Sequence, residues 1–381
     1  MGNKENNYWG RALMKVAVIG QKGIPSRVGG VEIHVEEISS RLATNNEMTV
    51  YCRNNYCQDK YDQYKNIQMK YISSINTKHL DAVTYTVLAT LDAIFNDYDI
   101  IHYHALGPSL FSFLPRLFGK KVICTVHGLD WKRQKWGVAG KMALKVGELA
   151  TAYFPHKVIM VSQSLKNYYE EHYQSVDSIY IPNGIATKTK KEPQLIDEMY
   201  GLKGQDYILF LARLVPEKGA HYLIEAYQQL NTNKKLVIAG GSSHSDDYVK
   251  RLKQLAKDND PIIFTGFIES DLLDELFTNA YFYVLPSDVE GLPISLIEAM
   301  AYGQCCLVSD IEENLEVIET KGESFKQGNV DSLVEKLNYL LNNEEVVHQY
   351  KKEAESYINE KYDWDEVAIQ TEGVYLSLMS H

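Results

Sequence analysis

The feature that most constrains this fold is a succession of short apolar strands and amphipathic helices that occurs twice along the chain. β-branched and aromatic runs alternate with segments whose apolar residues recur at helical spacing. The pattern pauses in a polar stretch at 186–206, which predicts a linker, and then restarts. Strands that alternate with helices indicate parallel sheets with helices on both faces. We therefore expect two doubly wound α/β domains that face a central cleft.

The predicted strands are short and rich in valine, isoleucine and aromatic residues: 15–20, 48–53, 100–105, 121–128, 157–162, 178–185, 207–214, 235–241, 262–266, 281–287 and 305–310. Helical spacing predicts helices over 31–43 and 219–230, and an amphipathic helix over 363–379. In such domains ligands bind beyond the carboxyl ends of the strands. The informative residues are therefore expected in loops that follow strands.

Composition excludes several classes of protein. With 381 residues and 45% apolar content, the chain is long enough for two packed domains. A net charge of -11 argues against a nucleic-acid partner. Five cysteines without a CxxC pair predict reduced thiols and a cytoplasmic location. The first 13 residues lack the apolar core of a signal peptide and predict an extension before the folded part begins at Met14.

A loop at 20–32, with the sequence GQKGIPSRVGGVE, joins the first predicted strand to a helix. Gly29 and Gly30 lie where that helix begins, where free N–H groups and the helix dipole favour an anion. The dinucleotide fingerprint G-x-G-x-x-G is absent, and no acid follows the second strand at the ribose position, which disfavours a nicotinamide dehydrogenase. Taken alone, the loop is equally well explained as a turn without a ligand.

Two further loops carry candidate residues. Arg213 follows a strand and Lys218 precedes a helix, and two cations on one such loop suit a diphosphate. His127 lies at the end of the predicted strand at 121–128, and Asp130 follows it, on the layer that faces the cleft. A single histidine is more often structural than catalytic, although this position brings the two interpretations close to equal.

The segment EGLPISLIEAM, residues 290–300, places two glutamates eight positions apart. Pro293 suits the first turn of a helix, so Glu290 falls in the preceding loop and Glu298 in the second helical turn. Eight helical residues span about 12 Å, more than the roughly 5–9.5 Å between the carboxyl groups of a glycosidase. The spacing better suits two acceptors for the hydroxyls of an extended ligand, with the Ile294 and Ser295 N–H groups offered to phosphate.

The motifs GGVE, ARLVPEKG and EGLPISLIEAMAYG resemble the GT-B retaining glycosyltransferases of family 4, and the resemblance runs from about Met14 to the end. The 20–32 loop is similar to that of a bacterial subgroup that includes rhamnosyltransferases for surface polysaccharides. The resemblance implies a GT-B fold, with an acceptor-side domain at 14–190 and a nucleotide-sugar-binding domain at 205–361. It also implies that a last helix, within 362–381, packs back on the first domain.

The resemblance implies a role for each matching residue. Arg213 and Lys218 would neutralise the diphosphate of a nucleotide-sugar donor, Glu298 would hold the ribose, and Glu290 the transferred sugar. Gly30 would approach the β-phosphate, beside Gly29, while the Ile294 and Ser295 N–H groups complete the donor site. His127 would lie beside the reacting carbon, and Glu32 on the acceptor side. No metal or other cofactor is implied.

Segment 115–147 is basic although the chain is acidic. It contains the cations Arg116, Lys120, Lys121, Lys132, Arg133, Lys135, Lys141 and Lys145, with Trp131 and Trp136 between them. Such a segment predicts docking to an anionic membrane surface, where a lipid-linked saccharide acceptor would be found. The alternative is a solvated helix face. Two alternatives to a transferase stay open: a GT-B sugar-nucleotide epimerase and a non-catalytic sugar-nucleotide-binding protein.

Overall fold

The N-terminal domain is built on a mainly parallel sheet. The structure is a computed structural model that describes residues 13–25, 29–57, 59–77, 80–133, 136–174, 176–243, 245–257 and 261–380. The strands of the first sheet are β1 (Lys15–Ile19), β2 (Glu47–Arg53), β3 (Gln63–Tyr64), β4 (Ile67–Ile72), β5 (Ile100–His104), β6 (Lys121–Val126), β7 (Lys157–Met160) and β8 (Ser178–Tyr180). Their order is β3-β4-β2-β1-β5-β6-β7-β8, and only the β3–β4 pair is antiparallel.

Helices cover this sheet because its strands are buried on both faces, β5 along its whole length. They are α1 (Gly30–Leu42), α2 (Leu80–Phe95), α3 (Leu106–Ser109), α4 (Phe113–Leu117), α5 (Val138–Tyr153) and α6 (Gln163–His172). None of the helices in the described ranges is both long and apolar enough to cross a membrane. The five cysteines are free thiols, and all but the half-buried Cys57 are buried.

The C-terminal domain has a second parallel sheet, whose strands are β9 (Tyr207–Leu211), β10 (Lys235–Ala239), β11 (Ile262–Gly266), β12 (Phe282–Leu285), β13 (Cys306–Ser309) and β14 (Glu323–Phe325). Its order, β11-β10-β9-β12-β13-β14, is the 3-2-1-4-5-6 order of a Rossmann domain. Its helices are α7 (Leu195–Tyr200), α8 (Ala220–Tyr227), α9 (Asp246–Leu255), α10 (Ser270–Asn279), α11 (Ile294–Ala301), α12 (Glu312–Ile318), α13 (Val330–Asn342) and α14 (Glu344–Lys361). The predicted pair of α/β domains is confirmed.

A final helix, α15 (Trp364–Met379), returns to the first domain. Its buried face packs into the apolar cluster formed by β1, β2 and α1. The Tyr375 hydroxyl lies 2.8 Å from His102 Nδ1 on β5, and Arg41 Nε donates to Asp365 at 2.6 Å. The return of the chain therefore ties α15 to the strand that ends at the floor of the cleft.

Local differences from the sequence predictions have packing explanations. The predicted strand at 178–185 is shortened to β8, because the chain beyond it leaves the sheet and pairs Ile185 with Asp363. The predicted linker contains the short helix α7, whose Ile196 is fully buried. β4 went unpredicted, since most of its residues are only half-buried at a sheet margin and its apolar pattern is weak.

Candidate active site

Two helix N-termini meet where the domains face each other. α11 begins directly after Pro293, and α1 begins at Gly30. A Cβ atom on Gly30 would lie 3.0 Å from Ile294 Cδ1, so the two starts are in contact. Gly29 has a φ of 115°, a conformation that favours glycine. Because each N-terminus carries unpaired N–H groups and partial positive charge, the pair forms a ready site for an anion.

The loops behind these helices also touch across the cleft. A Cβ atom on Gly291 would lie 1.8 Å from the carbonyl oxygen of His127, so only glycine fits there. Gly128 packs against the same backbone from the other domain. The segment that carries Glu290 and the segment that carries His127 are therefore direct neighbours, although 163 positions separate these two residues in the sequence.

Lys218 and Glu290 form a buried ion pair at the centre of the site. Lys218 Nζ lies 2.5 and 2.6 Å from the two carboxylate oxygens, and the side chains are only 13% and 7% exposed. The buried Ser287 hydroxyl donates to the same carboxylate at 2.7 Å. Burial lowers the pKa of Lys218, and the Glu290 charge opposes that shift. The carboxylate is thus held in one place beside a cation.

Arg213 adds a second cation, and the structure supplies a third from the opposite domain. Burial lowers the pKa of Arg213, and the charge of Arg133 lowers it further. The Arg133 charge also lowers the pKa of Lys218, so Arg133 lies within Coulombic range of both cations. Its side chain is oriented by Asp130, whose Oδ1 lies 3.3 Å from Arg133 Nε. The carboxylates of Glu290, Glu217 and Asp130 partly balance these cations, so the three cations would act on a phosphate anion as donors of charge-assisted hydrogen bonds.

Glu298 is held by a residue of the interdomain connection. Lys188 Nζ donates to Glu298 Oε1 at 2.8 Å, and the two side chains are 18% and 20% exposed. Lys188 also lies 5.5 Å from the centre of the Tyr302 ring. No sequence signal points to Lys188, because the pair joins residues 110 positions apart. The Glu298 side chain is thus more exposed than that of Glu290.

His127 belongs to a group of histidines at the cleft floor. His104 Nδ1 lies 3.0 Å from His127 Nε2, and the His34 ring meets the His127 ring edge-on at 4.7 Å. Burial lowers the pKa of His34 to about 4 and that of His104 and His127 well below the usual value. The three imidazoles are therefore neutral at physiological pH. Within the described ranges, they form a group that could hold a metal ion.

Glu32 lies at the start of α1 but is 7% exposed. Its carboxylate accepts a hydrogen bond from the Lys22 backbone N–H at 3.1 Å and lies beside Gly29. In this structure Glu32 therefore fastens the loop between β1 and α1. Its role on the acceptor side stays a prediction.

Two family models match the chain, one for each domain. The model of the group 1 glycosyl transferases matches residues 195–357, and that of glycosyltransferase family 4 matches residues 28–189. Together with the two Rossmann-like sheets, these matches decide the family. The chain belongs to the GT-B glycosyltransferases.

Similar proteins match this glycosyltransferase over nearly its whole length or over part of it. An uncharacterized glycosyltransferase of Methanocaldococcus jannaschii is 26% identical over 388 residues, 95% of this chain and 98% of that protein. The lipopolysaccharide 1,2-N-acetylglucosaminetransferase of Salmonella typhimurium is 30% identical over 228 residues, 56% of this chain and 60% of that protein. The structure of Anabaena HepE with UDP-glucose has a TM-score of 0.80 at 16% identity and covers 96% of this chain and 100% of HepE. That structural likeness shows the fold.

Glu148, which no sequence pattern singled out, anchors the loop that contains His127. Glu148 is fully buried on α5 and accepts hydrogen bonds from the Trp131 indole at 2.5 Å and the Tyr173 hydroxyl at 2.6 Å. Lys145 Nζ lies 3.6 Å from the centre of the Trp131 ring. In this glycosyltransferase, α5 thus positions the loop that carries His127, Asp130 and Arg133.

Proposed function

We propose that this protein is a retaining, metal-independent glycosyltransferase that moves a hexose from a nucleotide-diphosphate donor to a saccharide acceptor. The acceptor is lipid-linked, and the product contributes to a bacterial surface polysaccharide such as a capsule, as in the rhamnosyltransferase-like subgroup. One observation carries the proposal: two helix N-termini and the buried Lys218–Glu290 pair converge where the loops of the two domains touch. The relative with a lipopolysaccharide substrate supports the class of product.

The donor's diphosphate would lie between the N-termini of α1 and α11. Leu296 and Ile297 donate their N–H groups to the Pro293 carbonyl, whereas those of Ile294 and Ser295 have no acceptor within their own helix. These two N–H groups, with Arg213 and Lys218, would face the phosphate oxygens. Glu298 would accept hydrogen bonds from the ribose hydroxyls, and Glu290 from those of the sugar.

The same groups would stabilise the transition state. As the sugar leaves, negative charge grows on the β-phosphate, where Lys218, Arg213 and the α11 N-terminus act without reorganisation. These fixed cations would supply the neutralisation that a divalent metal supplies elsewhere. His127 lies across the contact between the two domain loops from Glu290. It would lie beside the reacting carbon of the sugar. Retention is then consistent with attack of the acceptor on the face from which the nucleotide leaves.

Thermal unfolding with a panel of ligands tests the donor site. We expect one of the diphosphates UDP, dTDP or GDP, and the matching sugar nucleotide, to raise the melting temperature, because a ligand at 100 times its Kd stabilises the folded state by about 2.7 kcal/mol. AMP serves as the control, since it lacks the β-phosphate. A chain that no diphosphate stabilises at millimolar concentration would contradict the donor site.

Product analysis separates the transferase from its alternatives. A transferase is expected to release nucleotide slowly from its donor without acceptor, since water can replace the acceptor. A binding protein would leave the donor intact, and an epimerase would change the sugar without net transfer. The family matches and the intact set of Arg213, Lys218, Glu290 and Glu298 favour transfer over both alternatives.

We also propose that the enzyme is cytoplasmic and docks on the membrane through part of segment 115–147. The docking surface would be narrower than the whole basic segment. Trp131 and Lys145 pack on each other and on Glu148, and Arg133 pairs with Asp130 within Coulombic range of Arg213, so we do not assign these three to the lipid-facing side. Trp136 packs partly buried against the core, and Lys135 lies outside the described residues. The basic and aromatic pattern of the sequence therefore groups residues that have different environments in the folded domain.

The outward side of α5 supplies a better docking surface. Its exposed apolar residues recur every three or four positions and form one stripe: Val138, Met142, Val146, Leu149 and Tyr153. The stripe continues through rings of neighbouring helices, since Phe154 contacts Phe113, and Phe118 contacts Phe95. Lys141 and Arg116 are exposed beside it. An apolar stripe flanked by cations suits an anionic lipid surface.

Vesicle sedimentation tests this surface. We expect the protein to bind vesicles of phosphatidylglycerol and phosphatidylcholine, and Met142→Asp to reduce binding about tenfold or more, because a charge would enter the apolar layer. Met199→Asp is the matched control: Met199 is 60% exposed on the C-terminal domain, and Met142 is 65% exposed. Equal binding to purely neutral vesicles, or no binding at all, would overturn the proposal.

A further inference from the structure

The three histidines at the cleft floor come from three separate elements. His34 lies in the second turn of α1, His104 ends β5, and His127 follows β6. Each offers one ring nitrogen, and these nitrogens lie within 4.8 Å of one another. We propose that His34, His104 and His127 bind one transition-metal ion of the zinc type. His127 is shared with the proposed transfer site, but the proposed reaction needs no metal, so the test measures metal binding itself and can fail without the transferase proposal failing.

The orientation of His34 prepares it as a ligand. Its Nδ1 lies 2.7 Å from Asn183 Oδ1, and both residues are buried. Because the amide oxygen accepts, Nδ1 carries the hydrogen and Nε2 keeps its lone pair toward the other two rings. A second group that fixes the tautomer in this way is typical of zinc-bound histidine. Asn183 would thus be the outer partner of the site.

The distances require a small adjustment. Nitrogen ligands lie 2.0–2.1 Å from zinc in a tetrahedron, so they are about 3.3 Å apart. The His104–His127 separation of 3.0 Å is already close to that value. The nitrogens lie within 4.8 Å of one another, so His34 would need to approach by up to about 1.5 Å. His127 is only partly buried, so the fourth position would open toward the cleft and be filled by water.

The donor set selects the class of metal. The cluster contains imidazoles and no carboxylate, which suits Zn²⁺, Co²⁺ or Ni²⁺ and disfavours Mg²⁺ and Ca²⁺. The adjacent His102 is no ligand, because its nitrogens contact the Tyr375 and Thr125 hydroxyls at 2.8 and 2.7 Å.

Cobalt titration of the full chain tests the site. We expect one equivalent of Co²⁺ to give the intense visible absorption of tetrahedral coordination, and Zn²⁺ to displace it. His34→Gln should lose this spectrum. Asn183→Ala keeps all three ligands and should bind 10–100-fold more weakly, as expected when an outer partner is removed. His348→Gln removes an exposed histidine paired with Glu344 and should bind as the unaltered protein does.

Only variants that fold are informative in this test. Circular dichroism identifies variants that fail to fold, and His127→Gln, at the most accessible of the three positions, replaces His34→Gln if needed. The proposal is overturned if the unaltered protein gives only the weak spectrum of six-coordinate Co²⁺. It is equally overturned if folded His34→Gln or His127→Gln retains the tetrahedral spectrum at the same affinity.

Discussion

Lys218→Met is expected to lower sugar transfer at least 100-fold and to destabilise the protein, whereas Lys218→Met/Glu290→Gln should regain most of the stability without regaining activity. The single change leaves the Glu290 carboxylate buried without its cation, which costs about 3–5 kcal/mol. The double change replaces the ion pair by neutral groups of similar shape, and Ser287 can still donate to the amide oxygen. Transfer stays lost because the charge on the β-phosphate has lost a stabilising donor, typically worth 10²–10³ in kcat.

Urea unfolding and transfer rates at subsaturating donor measure the two effects separately. The control is Lys321→Met, which breaks an ion pair with Glu353 whose side chains are about one-third exposed, and it should change stability little because solvent screens such a pair. Full activity in Lys218→Met would show that this lysine does not act on the diphosphate. A double variant as unstable as the single one would mean that packing, and not charge, holds the loop.

The second large effect concerns the two glutamates of the 290–300 segment. Glu298→Ala is expected to weaken binding of the free nucleoside diphosphate by about 10- to 100-fold, since hydrogen bonds to a charged group contribute about 1.5–3 kcal/mol. Glu290→Ala should leave that affinity nearly unchanged and lower the rate of transfer, because its proposed partner is the sugar. Isothermal titration with the diphosphate and with the intact donor distinguishes the two roles.

Lys188 provides the control for this comparison. Glu298→Ala removes both the proposed ribose contact and the Lys188 ion pair, whereas Lys188→Met removes only the pair. We expect Lys188→Met to keep or raise nucleotide affinity, because the Glu298 carboxylate then no longer has to be released from a cation. If both variants lost affinity equally, the ion pair and not the ribose contact would explain the effect.

The fold could be predicted because its signals are local. Runs such as KVAVI and YILFL are buried on both faces and need no distant information to be recognised as strands. The start of α11 after Pro293 follows from the missing N–H of proline. β4 was not predicted because most of its residues are only half-buried, so its sequence shows little alternation of apolar and polar residues. Membrane docking through segment 115–147 stays a prediction, and the sequence could not sort the residues of this segment, because charge along a sequence does not tell which side chains fold inward.

The sequence by itself determined the two α/β domains, the loops that carry Gly30, Arg213 and Lys218, and the division of the 290–300 segment into loop and helix. Only the tertiary structure decided which groups meet. It pairs Lys218 with Glu290 and Lys188 with Glu298. It also places Arg133 within Coulombic range of Lys218 and brings three histidines together. Helix starts and buried strands depend on neighbouring residues, whereas these contacts join residues that 23 to 110 positions separate, and only tertiary packing brings them within hydrogen-bonding or Coulombic range.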